Sequence, residues 1–237
     1  FKCLKKLGVK IKQFKNKCEI YGMGVNGYKY KKNIILNAGN SGTLARLILG
    51  LLVHSKNKIK IIGDKSLSKR DFLRITKPLR QFGARFKTNF EKLPIVIEGT
   101  KNPKPIRYHE NKGSAQIKSS IMLAALNTLG QTVIKAKKSR DHTENFFKYL
   151  GIPIIVKNNK SDDEIKVKGQ KIFKSFKYKV PSDPSSCAFF IVLTLLSKNC
   201  ELKIKNVNKN LNGVRRKLLN SNLAKKYGWK PRENILI

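Results

Sequence analysis

"LNAGNSGTLARLILGLL", residues 36–52, sets a small, polar, glycine-punctuated turn against a helix with an almost unbroken apolar face. Leu44, Leu47, Ile48, Leu51 and Leu52 fall at helical spacing and predict one buried stripe. Asn40 and Ser41 have the side chains preferred at a helix N-cap, and Gly42 eases the turn. Arg46 is the single charged residue in the stretch.

The same design returns twice, as "GSAQIKSSIMLAALNTLG" (113–130) and "PSDPSSCAFFIVLTLL" (181–196), each a Ser-rich turn opening a helix apolar nearly all round. Both of these helices are expected to be buried. A second marker recurs out of phase: "LKKLGVKI", "RQFGARF", "KYLGIPI" and "KKYGWKP" place Gly8, Gly83, Gly151 and Gly228 at intervals of 75, 68 and 77 residues. Each glycine follows a helical pattern and precedes an extended one, as a helix C-terminus needing a left-handed residue would. Between the helices, β-branched segments predict strands at Ile59–Ile62, Ile95–Ile97, Thr132–Ile134, Ile154–Val156, Ile165–Val167 and Leu202–Ile204. The fold class is therefore α/β, in repeated β-α-β-α-β-β units of about 70 residues. Three copies would pack around shared interior helices, sheets outside, with helix N-termini pointing the same way. Converging N-termini make an anion site, so a phosphate or carboxylate ligand is expected.

Composition narrows the class. The 237 residues carry 40% hydrophobic side chains, enough for a real core, and a formal charge of +38 from 52 Lys plus Arg against 14 Asp plus Glu. Only ten of the 52 are Arg, and the lysines scatter among strands, turns and helices instead of clustering on a phosphate-tracking surface, so neither nucleic acid nor a membrane is expected as partner. Cys3, Cys18, Cys187 and Cys200 show no CxxC spacing, and His54, His109 and His142 form no ligand pattern. Reduced thiols and no metal are expected. No run reaches the roughly 18–20 apolar residues of a membrane span, and no charged leader opens the chain, which points to the cytoplasm. The chain starts at Phe1 inside what reads as the last turn of a helix, so an earlier segment is expected to be missing.

In "GNSGT", Asn40, Ser41, Gly42 and Thr43 are small enough for an anion to reach backbone N–H groups, and Gly42 lacks the Cβ that would block it. The alternative is that these residues only cap a helix. "GSAQIKS" offers Ser114, Gln116 and Lys118, the first two suited to ligand oxygens; a cap needs Ser114 but has no need of Gln116. The turns "GDKSLSKRD" and "KAKKSRDHTE" both end on Arg-Asp, Arg70 and Arg140 lying 70 residues apart. Each Arg is either a surface ion pair with its neighbouring Asp or a two-pronged grip on phosphate or carboxylate.

At these residues the chain resembles the EPSP synthase family, the 3-phosphoshikimate 1-carboxyvinyltransferases. "LNAGNSGTLARLILGLL", "GDKSLSKRDFLRITKPLRQFGA", "GSAQIKSSIMLAALNTLG", "SRDHTENFFKYLGI" and "VPSDPSSCAFFIVLTLL" follow in family order from Phe1 to about Asn208. The resemblance implies an inside-out α/β barrel (an α/β prism) of three repeats, one of the family's two domains. It implies transfer of the enolpyruvyl group of phosphoenolpyruvate to the 5-hydroxyl of shikimate 3-phosphate, in aromatic amino acid biosynthesis, without metal or organic cofactor, by a monomer. Gly42 and Arg70 would meet phosphoenolpyruvate; Ser114 and Gln116 would hold shikimate 3-phosphate, Gln116 also approaching phosphoenolpyruvate. Asn40, Thr43, Ala115, Ser139 and Arg140 would lie nearby. Gly42 resembles the glyphosate-sensitive form of the pocket, making glyphosate an expected inhibitor.

The family's catalytic base and lysines have no counterpart here, so no catalytic residue is assigned and the chain alone is expected to be inactive. Residues 1–208 would be most of one domain. The tail 209–237, "GVRRKLLNSNLAKKYGW" within it, departs from the family and resembles the C-terminus of GDP-fucose synthase, reading as a foreign segment in which Arg215 and Arg216 need no role. The competing function is an RNA-binding protein like the RNA 3'-phosphate cyclases, which share the repeat unit; a third is an interaction module whose motifs serve only as caps.

Overall fold

The computed structural model describes residues 1–24, 27–169, 174–197 and 202–204. They group into two bodies: residues 1–138 with 143–174, and residues 139–142 with the described chain from 175 onward.

The first body opens with helix α1 (Lys2–Lys6) and the antiparallel strands β1 (Lys10–Gln13) and β2 (Cys18–Tyr21). A complete unit follows: β3 (Ile34–Asn37), α2 (Gly42–Leu51), β4 (Ile59–Ile62), α3 (Lys65–Ser68), α4 (Leu73–Gln81), β5 (Arg85–Asn89) and β6 (Lys92–Glu98). The next contains β7 (Arg107–Glu110), α5 (Ala115–Ala125), β8 (Gln131–Lys137), α6 (His142–Tyr149), β9 (Ile154–Asn158) and β10 (Asp162–Lys168). Their sheets have orders β3-β4-β6-β5 and β7-β8-β10-β9. In each, the first pair is parallel, joined across a helix, and the remaining pairs are antiparallel. The two units are the same β-α-β-α-β-β motif, and α1-β1-β2 matches the last half of one. Gly8, Gly83 and Gly151 end α1, α4 and α6 at φ of +89°, +105° and +67°, the left-handed conformation that their spacing predicts. Gly228 and the tail 209–237 lie outside the described residues.

Side chains alternate as half-buried strands require: Leu93, Ile95 and Ile97 of β6 point inward, their neighbours outward or partly so. They join Leu36, Leu49, Ile59, Ile61, Phe72, Leu79 and Phe82 in one core continuous with Ile117, Ile121, Met122, Ile134, Ile165 and Val167 of the next unit. Each such side chain contributes roughly 1.5–3 kcal/mol of transfer free energy.

Helices α2 and α5 are the interior pair. Gly50 of α2 faces the α5 backbone so closely that an added Cβ would lie 2.2 Å from the Ser120 carbonyl oxygen. Ser120 Oγ donates to the Arg46 carbonyl (3.0 Å), and His54 Nε2 lies 3.2 Å from the Ala124 carbonyl. Because α2 is enclosed, its buried set differs from the expected stripe: Ala45, Arg46, Ile48, Leu49, Gly50 and Leu52 are buried, whereas Leu44, Leu47 and Leu51 are half-buried. On the far side of α5, Lys118 is fully buried and paired with Glu144 of α6, beside a 2.6 Å contact between the Ser119 and Thr143 hydroxyls. A buried pair of this kind contributes little net stability yet is costly to break.

Two expectations need correction. Leu202–Ile204 is not a strand; no described residue pairs with it, and an extended tripeptide without a ladder has nothing to hold it. The helix expected to be buried at 181–196 forms as α7 (Pro184–Leu196), but among its described side chains only Cys187 is buried, and Phe189, Phe190, Leu193 and Leu196 are exposed. Among the described residues of the second body, α7 is the sole regular element lying wholly within it, so nothing regular there covers that surface.

Gly50→Ala should lower stability by roughly 1–3 kcal/mol, since overpacking against the Ser120 backbone outweighs the better helix propensity of alanine. Chemical denaturation measures it; an unchanged or higher midpoint would mean that α2 and α5 are not in such close contact.

Candidate active site

The N-termini of α2 and α5 meet at one end of this helix pair. Ser41 caps α2 by accepting from the Leu44 amide (3.2 Å), and Ser114 caps α5 by accepting from the Ile117 amide (3.4 Å). Across the gap, Gln116 Nε2 donates to Thr43 Oγ1 (2.9 Å), tying the two first turns together. The expected convergence of N-termini therefore holds for two of the three helices in a single body, while α7 belongs to the other.

The preceding turn is held by short polar contacts. Asn37 Oδ1 accepts from the Gly39 amide (2.8 Å), the Asp64 amide donates to the Gly39 carbonyl (2.9 Å), and Asn40 Nδ2 donates to Asp64 Oδ2 (2.5 Å). Asp64 also caps α3 by accepting from the Leu67 amide (2.7 Å). One carboxylate thus joins the turn after β3 to the turn after β4. The Leu67 amide, followed by the Asn40 amide group, holds the Asp64 carboxyl below its ordinary pKa.

Arg70 follows α3 and reaches back toward α2. A Cβ on Gly42 would meet Arg46 Nη1 at 3.0 Å, Arg70 Nη1 at 3.3 Å and Leu67 Cδ1 at 3.5 Å. Asp71 accepts from the Leu73 amide (2.8 Å), and among the described residues no ion pair holds Arg70, which leaves its fork exposed. Arg70 makes no ion pair with its neighbour Asp71, and Gly42, Thr43, Arg70 and Gln116 stand together, with Asn40 at the turn and Ser114 and Ala115 at the start of α5. Lys118 does not join them. Ser139 and Arg140 belong to the second body.

Arg46 was absent from the expected set. It is 5% exposed, its Nη1 donates to Gln116 Oε1 (2.8 Å), and its guanidinium lies over the Phe72 ring at 5.2 Å. Burial, then the positive charges of Arg74 and Arg70, lowers its pKa, with Asp71 opposing. The available signal was its position four residues after Gly42, on the same helix face. Asp64 was missed too, although Asp three residues before Leu67 is a recognisable N-cap pattern. Three guanidinium groups, those of Arg46, Arg70 and Arg74, crowd this helix end and repel one another. Among the described residues no group of three His, Cys, Asp or Glu side chains could hold a metal ion.

Comparison with known proteins agrees on one family. The EPSP synthase (3-phosphoshikimate 1-carboxyvinyltransferase) family model matches residues 1–227. A 3-phosphoshikimate 1-carboxyvinyltransferase of Vesicomyosocius okutanii is 42% identical over 205 residues, covering 86% of this chain and 46% of that protein. That of Streptococcus mutans is 41% identical over 207 residues, covering 86% and 47%. The 2.37 Å structure of EPSP synthase from Acinetobacter baumannii superposes with a TM-score of 0.76 at 35% identity, over 88% of this chain and 46% of that one. The chain spans about half the length of the curated relatives it matches.

The Asp64 carboxyl should titrate below about 3.9, the ordinary Asp value. A depressed folded-state pKa contributes stability that is present above the ordinary value and lost as pH falls through the folded one. Carboxyl-carbon chemical shifts followed from about pH 6 to about pH 2 give the midpoint. Asn40→Ala should raise it, and a native midpoint at or above about 3.9 would show that the turn is not tied through Asp64.

Proposed function

Because the chain belongs to the EPSP synthase family, we propose that it supplies one face of a site for shikimate 3-phosphate and phosphoenolpyruvate, and that with the remainder of the family's architecture it serves enolpyruvyl transfer. The observation that carries this is the gathering of Gly42, Arg70, Thr43 and Gln116 at two joined helix N-termini. Family membership sets aside the RNA 3'-phosphate cyclase alternative.

The roles follow from the geometry. Arg70 offers an unpaired fork suited to carboxylate or phosphate. Gly42 leaves the space beside it open, since any Cβ would crowd Arg46 and Arg70. Ser114 and Thr43 each use a hydroxyl lone pair within the protein, at the Ile117 amide and the Gln116 amide, and so keep their hydroxyl protons to donate to a ligand. Gln116 retains a second N–H. In the reaction the methylene of phosphoenolpyruvate is protonated to a methyl group and the 5-hydroxyl of shikimate 3-phosphate attacks C2 with loss of its proton; the methyl then gives up a proton as the C–O bond to phosphate breaks, which restores the double bond and releases phosphate. Fixed cations and helix dipoles favour the negative charge that develops on the departing phosphate. No acid or base for the proton transfers is assigned to this chain, so it is read as a binding face that does not turn over alone.

Asn40 and Ala115 frame the same site, and Ser139 and Arg140 are proposed as further contacts. Glyphosate as inhibitor, a monomeric state and a cytoplasmic setting belong to the same reading; among the described residues no helix is long and apolar enough to cross a membrane. The division into residues 1–208 and a foreign tail 209–237 is likewise proposed, and the family match to residue 227 crosses it.

Titration calorimetry of the full chain with shikimate 3-phosphate should show saturable binding. Gln116→Ala and Arg70→Ala should each weaken ligand binding by on the order of 10- to 100-fold, Arg70→Ala read with phosphoenolpyruvate as second ligand, from about 1.5–3 kcal/mol per charge-assisted hydrogen bond. Affinities indifferent to both substitutions, or steady phosphate release by the chain alone, would contradict the assignment.

A further inference from the structure

Arg46 is costly where it lies. A guanidinium on a side chain only 5% exposed gives up most of its hydration, and its Nε has no hydrogen-bond partner. An apolar side chain stacked on Phe72 would fill the same volume more cheaply. What Arg46 supplies, and an apolar residue does not, is a contact that only donates.

That property decides the orientation of Gln116. A glutamine amide has an acceptor end and a donor end of nearly equal shape, and a hydroxyl partner accommodates either. Thr43 Oγ1 could therefore face the Gln116 oxygen or nitrogen equally well. A guanidinium has no acceptor, so Arg46 Nη1 at 2.8 Å admits only the oxygen, and the NH2 group must turn to Thr43 and the open side of the turn. We infer that Arg46 is a positioning residue: it locks Gln116 with its carbonyl inward and its amide N–H groups outward, so that the site shows an anion a donor and never the repelling carbonyl oxygen.

The consequence for ligand rests on the function proposed above, but the orientation does not. Arg46 touches Gln116 from the buried side and is placed behind the ligand. Its guanidinium is also what a Cβ on Gly42 would strike first, at 3.0 Å. Bulk at position 42 would thus reach Gln116 through Arg46 as well as narrowing the pocket directly.

The test needs no ligand. In the 15N-labelled full chain, the side-chain amide signals of Gln116, identified by their loss in Gln116→Ala, report hydrogen exchange at Nε2. Arg46→Met should speed that exchange about tenfold, as expected for loss of one hydrogen bond of about 1.4 kcal/mol. Arg46→Lys, which keeps a buried donor without the planar fork, should restore most of the protection. Unchanged exchange in Arg46→Met overturns the inference. If that variant does not fold, Arg46→Gln decides, because its amide can accept as well as donate and so removes the lock while staying polar: faster exchange supports the inference, and exchange as slow as in the native chain overturns it. Shikimate 3-phosphate titrations of Arg46→Gln, Gln116→Ala and the double variant then ask whether the effect of Arg46 passes through Gln116. Position 46 should matter when Gln116 is present and lose its effect when it is absent; additive losses would instead mean that Arg46 acts by another route. A native chain that binds no shikimate 3-phosphate would count against the proposed function, while the exchange rates would still decide how Gln116 is oriented.

Discussion

The close approach of α2 and α5 is the constraint from which the site follows. Where Gly50 meets the Ser120 backbone there is no room for a side chain, and the helices are brought within reach of each other's first turns. At ordinary side-chain-filled separation, Thr43 and Gln116 would not share a hydrogen bond, and Arg46 on one helix would not touch Gln116 on the other. The sheets flanking these helices carry the two repeats, and the helix pair between them holds the candidate site residues. Both N-termini then add their dipoles at a common end.

Charge is disposed unequally on the two sides of α5. Lys118 turns toward α6 and finds Glu144, so its charge is neutralised inside the protein. Arg46, Arg70 and Arg74 remain together at the α2 end; Asp71 opposes them beside Arg46 and Asp64 beside Arg70, and both carboxylates are occupied with backbone amides, of Leu73 and Leu67. An excess of cationic charge held by close packing, beside hydroxyl and amide donors, suits the anionic ligand proposed for the site. The high lysine content contributes no such arrangement; three arginines and their neighbours do.

The repeat was legible because its markers are local. A glycine closing a helix and a Ser-capped turn opening one depend on a few adjacent residues, and they recur with a period that neither Lys-rich composition nor surface drift obscures. The places of Gly42, Arg70 and Gln116 at these turns were legible for the same reason. Arg46 was not, because its meaning lies in Gln116, seventy residues away, and a lone Arg in an apolar helix reads as a surface residue until its partner is known. The direction of Lys118 was implicit: two residues from Gln116 on a helix, it has to face away from it. The exposure of α7 was beyond reach, since an apolar sequence says which surface needs cover and not whether another segment covers it.

A crystal structure of the full chain soaked with shikimate 3-phosphate is the most direct test of the central claim, that two joined helix ends form an anionic-ligand site. Density for the ligand should lie against Gln116 and Ser114, with the Gln116 amide nitrogen toward its oxygens and the Arg70 fork facing the space beside Gly42. A ligand bound elsewhere on the chain, or density at this site with Gln116 and Ser114 out of contact, would contradict it.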